Sequence, residues 1–229
     1  MSAIRVSGAT FSFSELWQMA TMYLDLHLHT TAYSPCSTMS PDELMVSAKQ
    51  AGLDGVCITE HNEIWSREEA RELSNRHGLA VFRGIEVTTT GGDILVYGLD
   101  EAPQGLISPV ELKKIVDRAG ALAIAAHPFR GFLVFGFGAL ELDVESAMDN
   151  PTFGQVHGLE VCNGLVTDDE NRFAHQVAEA MGLIEIGGSD AHRTVGVGTC
   201  VTAFNYRIED DKALVQAILN GDFRLEKRK

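Results

Sequence analysis

The feature that most constrains the fold is a regular alternation between short apolar runs and longer, more polar stretches that end in glycine. Several of the apolar runs are continuously hydrophobic, which is typical of strands covered on both faces. The longer stretches predict helices, because Ser40-Pro41 and Ser108-Pro109 are favourable helix starts and a glycine closes each stretch. The predicted strands are Tyr23–Leu28, Gly55–Thr59, Ala80–Val87, Ile94–Gly98, Leu122–Ala126, Gly158–Cys162 and Leu183–Gly187, and the predicted helices are Pro41–Ala51, Ser66–His77, the stretch from Ser108 to Gly120, Asp168–Met181 and Asp210–Asn220.

Repeated helix–glycine–strand units predict a parallel α/β fold. Seven strand candidates without a Gly-x-Gly-x-x-Gly turn favour a closed or distorted barrel over a dinucleotide-binding sheet. We expect residues 1–21 to form an N-terminal extension and residues 22–229 to form one domain. An ordered strand and helix over Phe11–Met19 is an equal alternative for the extension. The Gly- and Phe-rich segment Phe129–Leu142 is either a lid or a cover over one barrel end.

Charge and cysteine usage limit the partners and the compartment. The chain has 18 Lys+Arg against 32 Asp+Glu, a formal net charge of −14, which argues against binding of long duplex nucleic acid but not against a small phosphorylated ligand. No apolar stretch approaches the ~20 residues of a membrane helix, and Met1–Thr21 is a poor signal peptide. The four cysteines contain no Cys-x-x-Cys pair, so we expect reduced thiols and a cytoplasmic protein.

Histidines and acids gather at the ends of the predicted strands. His27 and His29 follow the first strand two residues apart, so their side chains project to the same side. In a parallel barrel the carboxyl ends of the strands converge on one face. Imidazole and carboxylate together suit Zn, Mn or Fe. The remaining candidate ligands at these ends are Glu60, His61, Glu86, His127, Asp190 and His192.

Each of these residues also has an ordinary interpretation. A single histidine at a strand end is most often a hydrogen-bonded core or surface group, but a same-face pair with several further partners favours a metal cluster. Asp25 is expected to orient a ligand histidine rather than to bind metal. Glu160 lies in mid-strand and has a structural interpretation, whereas Asn163 at the end of that strand is the better candidate to face a substrate.

These residues resemble the motifs of the polymerase and histidinol phosphatase (PHP) family. The similar segments are Asp25-Leu-His27-Leu-His29-Thr30, Thr59-Glu60-His61-Asn62, Ala126-His127-Pro128 and Gly188-Ser189-Asp190-Ala191-His192. They occur in the family's order and span about residues 22–222. The resemblance implies a distorted (β/α)7 TIM-like barrel that holds two or three divalent ions and hydrolyses a phosphoester.

The resemblance also implies a ligand set. His27, His29, Glu86 and Asp190 would hold the first ion, Glu86 would bridge to a second ion at His127, and His61 with His192 would hold a third. The family often supplies another third-site ligand soon after the first motif, but here Thr31–Ser37 has no carboxylate or histidine and offers only Cys36. Glu60 replaces the usual aspartate, and its longer side chain either binds metal or reorients His61.

The implied chemistry is attack on phosphorus by a metal-activated hydroxide. Asp190 and His192 would serve catalysis through the ions. Arg130 and Arg193 closely follow ligand histidines and would bind the phosphate, although each has an equal alternative role as a surface salt-bridge partner. Substrate candidates are a small phosphomonoester, a nucleotide or a short oligonucleotide end.

Two alternatives remain at this point. An amidohydrolase-type enzyme also has a His-x-His first strand, but it commonly bridges two metals with a modified lysine, and all six lysines here lie in predicted helices or the tail. A mononuclear version without lysine survives that objection. The second alternative is a metal-binding barrel without catalytic activity.

Overall fold

The structure is a computed structural model that describes residues 3–6, 9–12, 21–131 and 143–228. Within these residues, nine strands form one sheet in the order β11-β10-β3-β4-β5-β6-β7-β8-β9, and β1 and β2 form a separate antiparallel pair. The strands are β1 (Ala3–Val6), β2 (Ala9–Ser12), β3 (Met22–Asp25), β4 (Gly55–Ile58), β5 (Ala80–Thr89), β6 (Gly92–Tyr97), β7 (Leu122–Ala125), β8 (Gly158–Asn163), β9 (Ile184–Gly188), β10 (Cys200–Phe204) and β11 (Phe223–Lys227). The helices are α1 (Pro41–Gln50), α2 (Arg67–His77), α3 (Pro109–Ala119), α4 (Val144–Met148), α5 (Asp168–Met181) and α6 (Asp211–Asn220).

The large sheet curves into a nearly closed barrel, so the predicted α/β, TIM-like barrel class is confirmed. The sheet is not parallel throughout: β6 runs antiparallel to both β5 and β7, and β10 runs antiparallel to β3 and β11. The expected alternation therefore fails between β5 and β6, where a short turn replaces a crossover helix. β10 and β11 were not among the predicted strands.

Strands β9 and β10 meet where the barrel closes, and in the described residues they do not form a complete ladder of backbone hydrogen bonds. At mid-height the Thr202 hydroxyl of β10 donates to the Gly187 carbonyl of β9 at 3.0 Å. At the carboxyl end, Leu28 and Ala191 form a parallel bridge, and the His29 amide donates to the Ala191 carbonyl at 3.1 Å. The segments that follow β3 and β9, which carry most of the candidate ligands, are thus joined directly.

The core has an inner and an outer part. Leu24, Phe82, Leu95 and Ile124 fill the barrel interior, and α6 packs against the same cluster. The remaining helices cover the outside of the sheet; α1 and α2, for example, bury Leu44 and Leu73 against β4. Capping boxes fix the starts of four helices, at Ser40, Ser66, Ser108 and Thr167, each satisfying two otherwise unpaired backbone amides.

Parts of the chain named in the sequence predictions lie outside the described residues. These are residues 13–19 of the Phe11–Met19 alternative and residues 132–142, most of the Phe129–Leu142 loop. The proposed domain boundary at residue 22 stays a prediction. Among the helices of the described segments, none has the length and apolar character needed to cross a membrane.

Candidate metal centre

The first motif reaches the barrel mouth through a break in strand alternation. Leu24 and Leu26 both pack into the barrel interior, whereas Leu28 packs into the outer layer against α1 and α2. The break lies at the end of β3, where the Asp25 carboxylate accepts a hydrogen bond from the His27 amide at 3.4 Å. His27 and His29 therefore share the inward side as predicted, and both are fully buried.

The structure brings seven of the eight candidate ligands together in three overlapping groups. In each group, one nitrogen or oxygen from each residue lies within 4.8 Å of the others. Such spacing permits a single ion to be held between the atoms after small adjustments. The groups are His27, His29 and Asp190; His27, Glu86 and His127; and His29, His61 and His192.

Glu86 lies between these groups. Its Oε1 is 2.9 Å from Nε2 of His127, while its Oε2 lies 3.4 Å from Nε2 of His27, 3.2 Å from Nε2 of His29 and 2.9 Å from Nδ1 of His61. Despite these short distances, Oε2 is buried and has no hydrogen bond. Leaving a buried carboxylate oxygen unsatisfied is costly. An orphaned oxygen surrounded by three imidazoles is the arrangement that a bound divalent cation would satisfy, so the residues fit a metal.

Glu160 orients His27. Its Oε1 lies 2.9 Å from Nδ1 of His27, and its Oε2 accepts hydrogen bonds from the His127 amide and the Asn163 side chain, both at 2.9 Å. A carboxylate on Nδ1 leaves Nε2 of His27 facing the cluster. Sequence reasoning left Glu160 with a structural interpretation; the signal it had available was an acid within an otherwise apolar strand.

The same carboxylates control the charge of His27. Burial alone would lower the pKa of this imidazole, but Glu160 and Glu86 outweigh burial and raise the pKa of His27 to about 10. Without an ion, His27 is therefore a protonated imidazolium at neutral pH. A metal ion has to displace this proton in order to bind Nε2.

Asp25 acts on the backbone rather than on an imidazole ring. Its Oδ1 accepts from the Ser189 amide and its Oδ2 from the Gly198 amide, both at 2.8 Å. The carboxylate is fully buried, and burial raises the pKa of Asp25 to about 6. Asp25 thus contacts the backbone amide of the ligand His27 and fixes the loop that carries Asp190 and His192, whereas Glu160 orients the His27 ring.

Two ligands from the ends of β7 and β9 sit in unusual backbone conformations. Asp190 has a φ of 56° and His127 a φ of 29°, values that residues other than glycine adopt rarely and mostly at functional sites. The Asp190 amide donates to the His27 carbonyl at 2.8 Å, which holds the turn against the first motif. These turns direct both side chains into the cluster.

His192 is prepared to act as a neutral ligand. Its Nδ1 lies 2.9 Å from the Asp190 carbonyl, so this nitrogen carries the proton and Nε2 is left available. Burial, together with neighbouring His29 and His61, lowers the pKa of His192 to about 4. A neutral imidazole at physiological pH is the form that binds metal.

The comparisons with known proteins agree with this site. The family model for the PHP domain matches residues 25–137, and the PHP-associated model matches residues 168–223. The chain belongs to the PHP family. A relative from Methanocaldococcus jannaschii, an uncharacterised protein, is 38% identical over 119 residues, which cover 47% of this chain and 68% of the relative.

Solved structures show the same barrel. A two-domain protein from Bacteroides vulgatus, described as containing a predicted PHP-like metal-dependent phosphoesterase, has a TM-score of 0.68 at 22% identity; the match covers 91% of this chain and 65% of that one. An amidohydrolase from Chromobacterium violaceum, with bound sulfate and no metal, has a TM-score of 0.60 at 15% identity, covering 89% and 97%. These likenesses show the fold, and membership in the PHP family supports a metal-dependent hydrolase.

Glu60, the residue that departs from the PHP motif, points away from the cluster. Its carboxylate accepts hydrogen bonds from the Thr30 amide at 3.0 Å, from the Thr30 hydroxyl and from the Trp65 indole at 3.1 Å. Because both oxygens are occupied, the structure does not place Glu60 with the other predicted ligands. Its position instead anchors the loop after His29 to the second motif.

Two further sequence interpretations change. Asn163 is fully buried, and its side chain contacts Glu160, Asp190 and the Leu165 amide, so it supports the site instead of facing a substrate. Cys36 is exposed and belongs to none of the three groups that the described residues form. The structure thus gives the third group no ligand from the loop after the first motif.

The two candidate phosphate-binding arginines lie at the mouth in different settings. The Arg130 guanidinium pairs with Oδ2 of Asp190 and is about two-fifths exposed. Arg193 is exposed, and the described residues give its side chain no hydrogen bond or ion pair. Arg130 therefore contacts a candidate ligand rather than a surface acid, while Arg193 is free to meet a substrate.

Proposed function

We propose that this PHP protein is a metal-dependent phosphoesterase that hydrolyses the phosphate ester of a small molecule, a nucleotide or a short oligonucleotide end. The observation that carries the proposal is the orphaned Oε2 of Glu86, buried among three imidazoles. The mouth around it carries two guanidinium groups. A cluster of metal ligands with adjacent arginines suits an anionic substrate whose charge has to be neutralised.

Two of the groups suffice for a pair of neighbouring ions. Nδ1 of His27 is taken by Glu160, so Nε2 can bind only one ion. His27, His29 and Asp190 would hold one ion and His127 the second, and Glu86, which contacts residues of both groups, would contribute to both. When bound, such a pair lowers the pKa of a water molecule towards ~7 and neutralises phosphoryl oxygens.

A third ion would be bound more weakly. His29 belongs to both the first and the third group, and because its Nδ1 lies 3.3 Å from the Ser34 hydroxyl, only Nε2 remains, which cannot serve two ions at once. If His29 belongs to the first ion, the third has only His61 and His192 from the described residues. We therefore expect two tightly bound divalent ions, of Zn, Mn or Fe, and a third of lower affinity.

The chain's own residues would position the substrate. Arg193 is exposed beside His192 and would contact phosphoryl oxygens, because a guanidinium offers two parallel donors to a phosphate. Arg130 would hold Asp190 in place and share the phosphate charge. The net charge of the whole chain, −14, disfavours binding of a long polyanion, so the proposed substrate is small.

The amidohydrolase alternative is less well supported by the chain. In the described residues no lysine lies at the carboxyl ends of β3, β4, β5, β7, β8 or β9; Lys49, Lys113, Lys114 and Lys212 are in helices and Lys227 is in β11. Glu86 occupies the place between the groups that a modified lysine would need. Hydrolysis of amides or cyclic amides with no action on phosphoesters would favour that alternative.

The proposal is tested by screening the Mn- or Zn-loaded protein against phosphomonoesters, phosphodiesters and amides, with release of phosphate or amine as the readout. We expect phosphate release that Asp190→Asn and His27→Ala abolish without loss of fold, since each removes a proposed ligand. The matched control is Asp222→Asn, at an exposed position outside the cluster. Equal turnover by the three variants and the wild type would show that neither Asp190 nor His27 is needed for hydrolysis.

A further inference from the structure

A small cavity adjoins the metal centre on the β6–β7 side. Its volume is about 270 Å³, just below the ~300–1,000 Å³ typical of ligand pockets. It therefore suits a group of a few heavy atoms and not a large aromatic system. It is lined by His127 and Arg130 of the centre, by the backbone of the β5–β6 turn and by Asp93, Asn150, Thr152 and Phe153.

Hydrogen bonds between side chains and the backbone hold the cavity walls together. The Thr152 hydroxyl donates to the Gly91 carbonyl at 3.0 Å, and a Cβ on Gly91 would lie 2.4 Å from Oγ1 of Thr152. Oδ1 of Asn150 accepts from the Thr152 amide at 3.0 Å. The segment 150–153 is thus fastened to the β5–β6 turn, which leaves a preformed space between them. A preformed space loses little entropy when a ligand enters.

Strand register places Asp93 on the inner face of the barrel. Glu86 of β5 pairs with Leu95 of β6, and the next inward pair towards the mouth is Thr88 with Asp93. Leu95 and Tyr97, on the same face of β6, are buried in the interior cluster. Asp93 therefore lies at the rim of the barrel mouth, one inward-facing residue pair beyond the pair that contains Glu86.

Asp93 is also tied to the third motif. Its carbonyl accepts a hydrogen bond from the Ala126 amide at 3.0 Å, directly before His127. Its side chain is half-buried and lines the cavity, yet the described residues give its carboxylate neither a hydrogen bond nor an ion pair. A partly desolvated carboxylate without a partner, fixed beside a catalytic centre, is suited to accept hydrogen bonds from a ligand.

We propose that this cavity receives the alcohol part of the phosphoester and that Asp93 selects substrates whose alcohol carries a hydrogen-bond donor near the ester, either a hydroxyl or an ammonium group. This inference rests on the proposed phosphoesterase function and narrows its substrate class to phosphates of small polyols or amino alcohols. Asp93 acts as a specificity residue, accepting the donor while the phosphate lies at the ions.

The test uses three phosphomonoesters of similar size: propyl phosphate without a donor, glycerol 1-phosphate with hydroxyls and phosphoethanolamine with an ammonium. The measured quantity is kcat/KM of each donor-bearing ester divided by that of propyl phosphate, with Mn-loaded protein. We expect the wild type to favour at least one donor-bearing ester by about tenfold or more, and Asp93→Ala to lose this preference. Asp117→Asn on α3, which makes the same chemical change as Asp93→Asn at an exposed site, should keep the wild-type ratios.

Asp93→Asn separates the two donors. An amide oxygen still accepts from a hydroxyl but lacks the charge that an ammonium needs, so loss of the phosphoethanolamine preference alone identifies an ammonium substrate. Retention of the glycerol phosphate preference in Asp93→Asn, with loss in Asp93→Ala, identifies a hydroxyl substrate. Wild-type ratios near one, or ratios unchanged in Asp93→Ala, would overturn the inference while leaving the phosphoesterase function intact. Absence of hydrolysis of all three esters would instead count against the proposed function itself.

Discussion

Three of the candidate ligands, His27, His192 and Asp190, owe their orientation to a partner that fixes one of their atoms. Glu160 holds Nδ1 of His27, and the Asp190 carbonyl holds Nδ1 of His192. The Asp190 turn is held in turn by the His27 carbonyl. These contacts fix Nε2 of His27 and Nε2 of His192 as the nitrogens that face the centre before an ion arrives. We therefore expect metal affinity to depend on residues that never touch the metal.

Glu160→Gln tests this dependence. The substitution keeps the shape of the side chain but removes the carboxylate charge beside Nδ1 of His27, so we expect the metal dissociation constant to rise about 10- to 100-fold. Competition with a chelator of known affinity measures it. Glu185→Gln on β9 makes the same change at a side chain that pairs with His175 outside the cluster, and should bind metal like the wild type. Equal affinities in the two variants would show that Glu160 has no orienting role.

Arg193→Ala tests the proposed phosphate contact. Removing a charge-assisted hydrogen bond should lower phosphoester kcat/KM by roughly 10- to 100-fold, equivalent to ~1.5–3 kcal/mol, with unchanged metal content. Arg193→Lys should recover part of the loss, because an ammonium retains the charge without the planar fork. Arg207→Ala, outside the mouth, provides the control. Unchanged kinetics in Arg193→Ala would leave Arg193 as an ordinary surface residue.

At the scale of strands, the site depends on a close approach of β3 and β9. A Cβ on Gly188 would lie 2.4 Å from Cβ and 2.6 Å from the backbone nitrogen of His27. Glycine is the residue that lets the two segments meet, so that the Asp190 amide reaches the His27 carbonyl. The metal-binding geometry is thus coupled to closure of the barrel.

Gly188→Ala should therefore disturb both stability and metal binding. We expect a loss of ~1–3 kcal/mol in the free energy of unfolding, which lowers Tm by about 2–4 °C for each kcal/mol in a chain of this size, together with weaker metal binding. Calorimetry of the metal-free and metal-loaded protein measures both. Gly154→Ala, where an added Cβ meets nothing within 4 Å, should melt like the wild type. A Gly188→Ala variant with the melting temperature and metal binding of the wild type would refute the close-approach argument.

Seven strands were predictable because buried strands are continuous apolar runs, and helix starts because their capping residues are local; β10 is also a buried apolar run, but it was not predicted. Strand direction was not predictable, because an apolar run such as β6 fits a parallel or an antiparallel strand equally well. Only its pairing shows that β6 runs antiparallel to β5. β11 escaped prediction because its residues, Phe-Arg-Leu-Glu-Lys, are only half-buried or exposed and lack an apolar run. Similarly, the ligand histidines could be predicted from strand ends, whereas the hydrogen bonds of Glu60 and Glu160 arise from residues far apart in the chain.

At the scale of the whole molecule, metal binding is coupled to pH. The pKa of His27 in the metal-free protein is raised to about 10 by Glu160 and Glu86 against the effect of burial. Below that value a proton occupies His27 and competes with the metal, so affinity should rise with pH by about tenfold per unit between pH 6.5 and 8.5. Titration calorimetry with Mn²⁺ in buffers of different ionisation enthalpy measures the affinity and the protons released. A dissociation constant independent of pH would contradict this protonation state.

The central claim is that two bound ions enable this barrel to hydrolyse a phosphoester. The most direct measurement is a titration of metal-stripped protein with Mn²⁺ or Zn²⁺, following phosphate release from a phosphomonoester and bound metal by elemental analysis in the same samples. We predict that activity is absent without metal, rises as ions bind and reaches its main plateau at about two ions per chain. Binding of less than about one ion per chain, or full occupancy without phosphate release from any ester of the panel, would contradict the account.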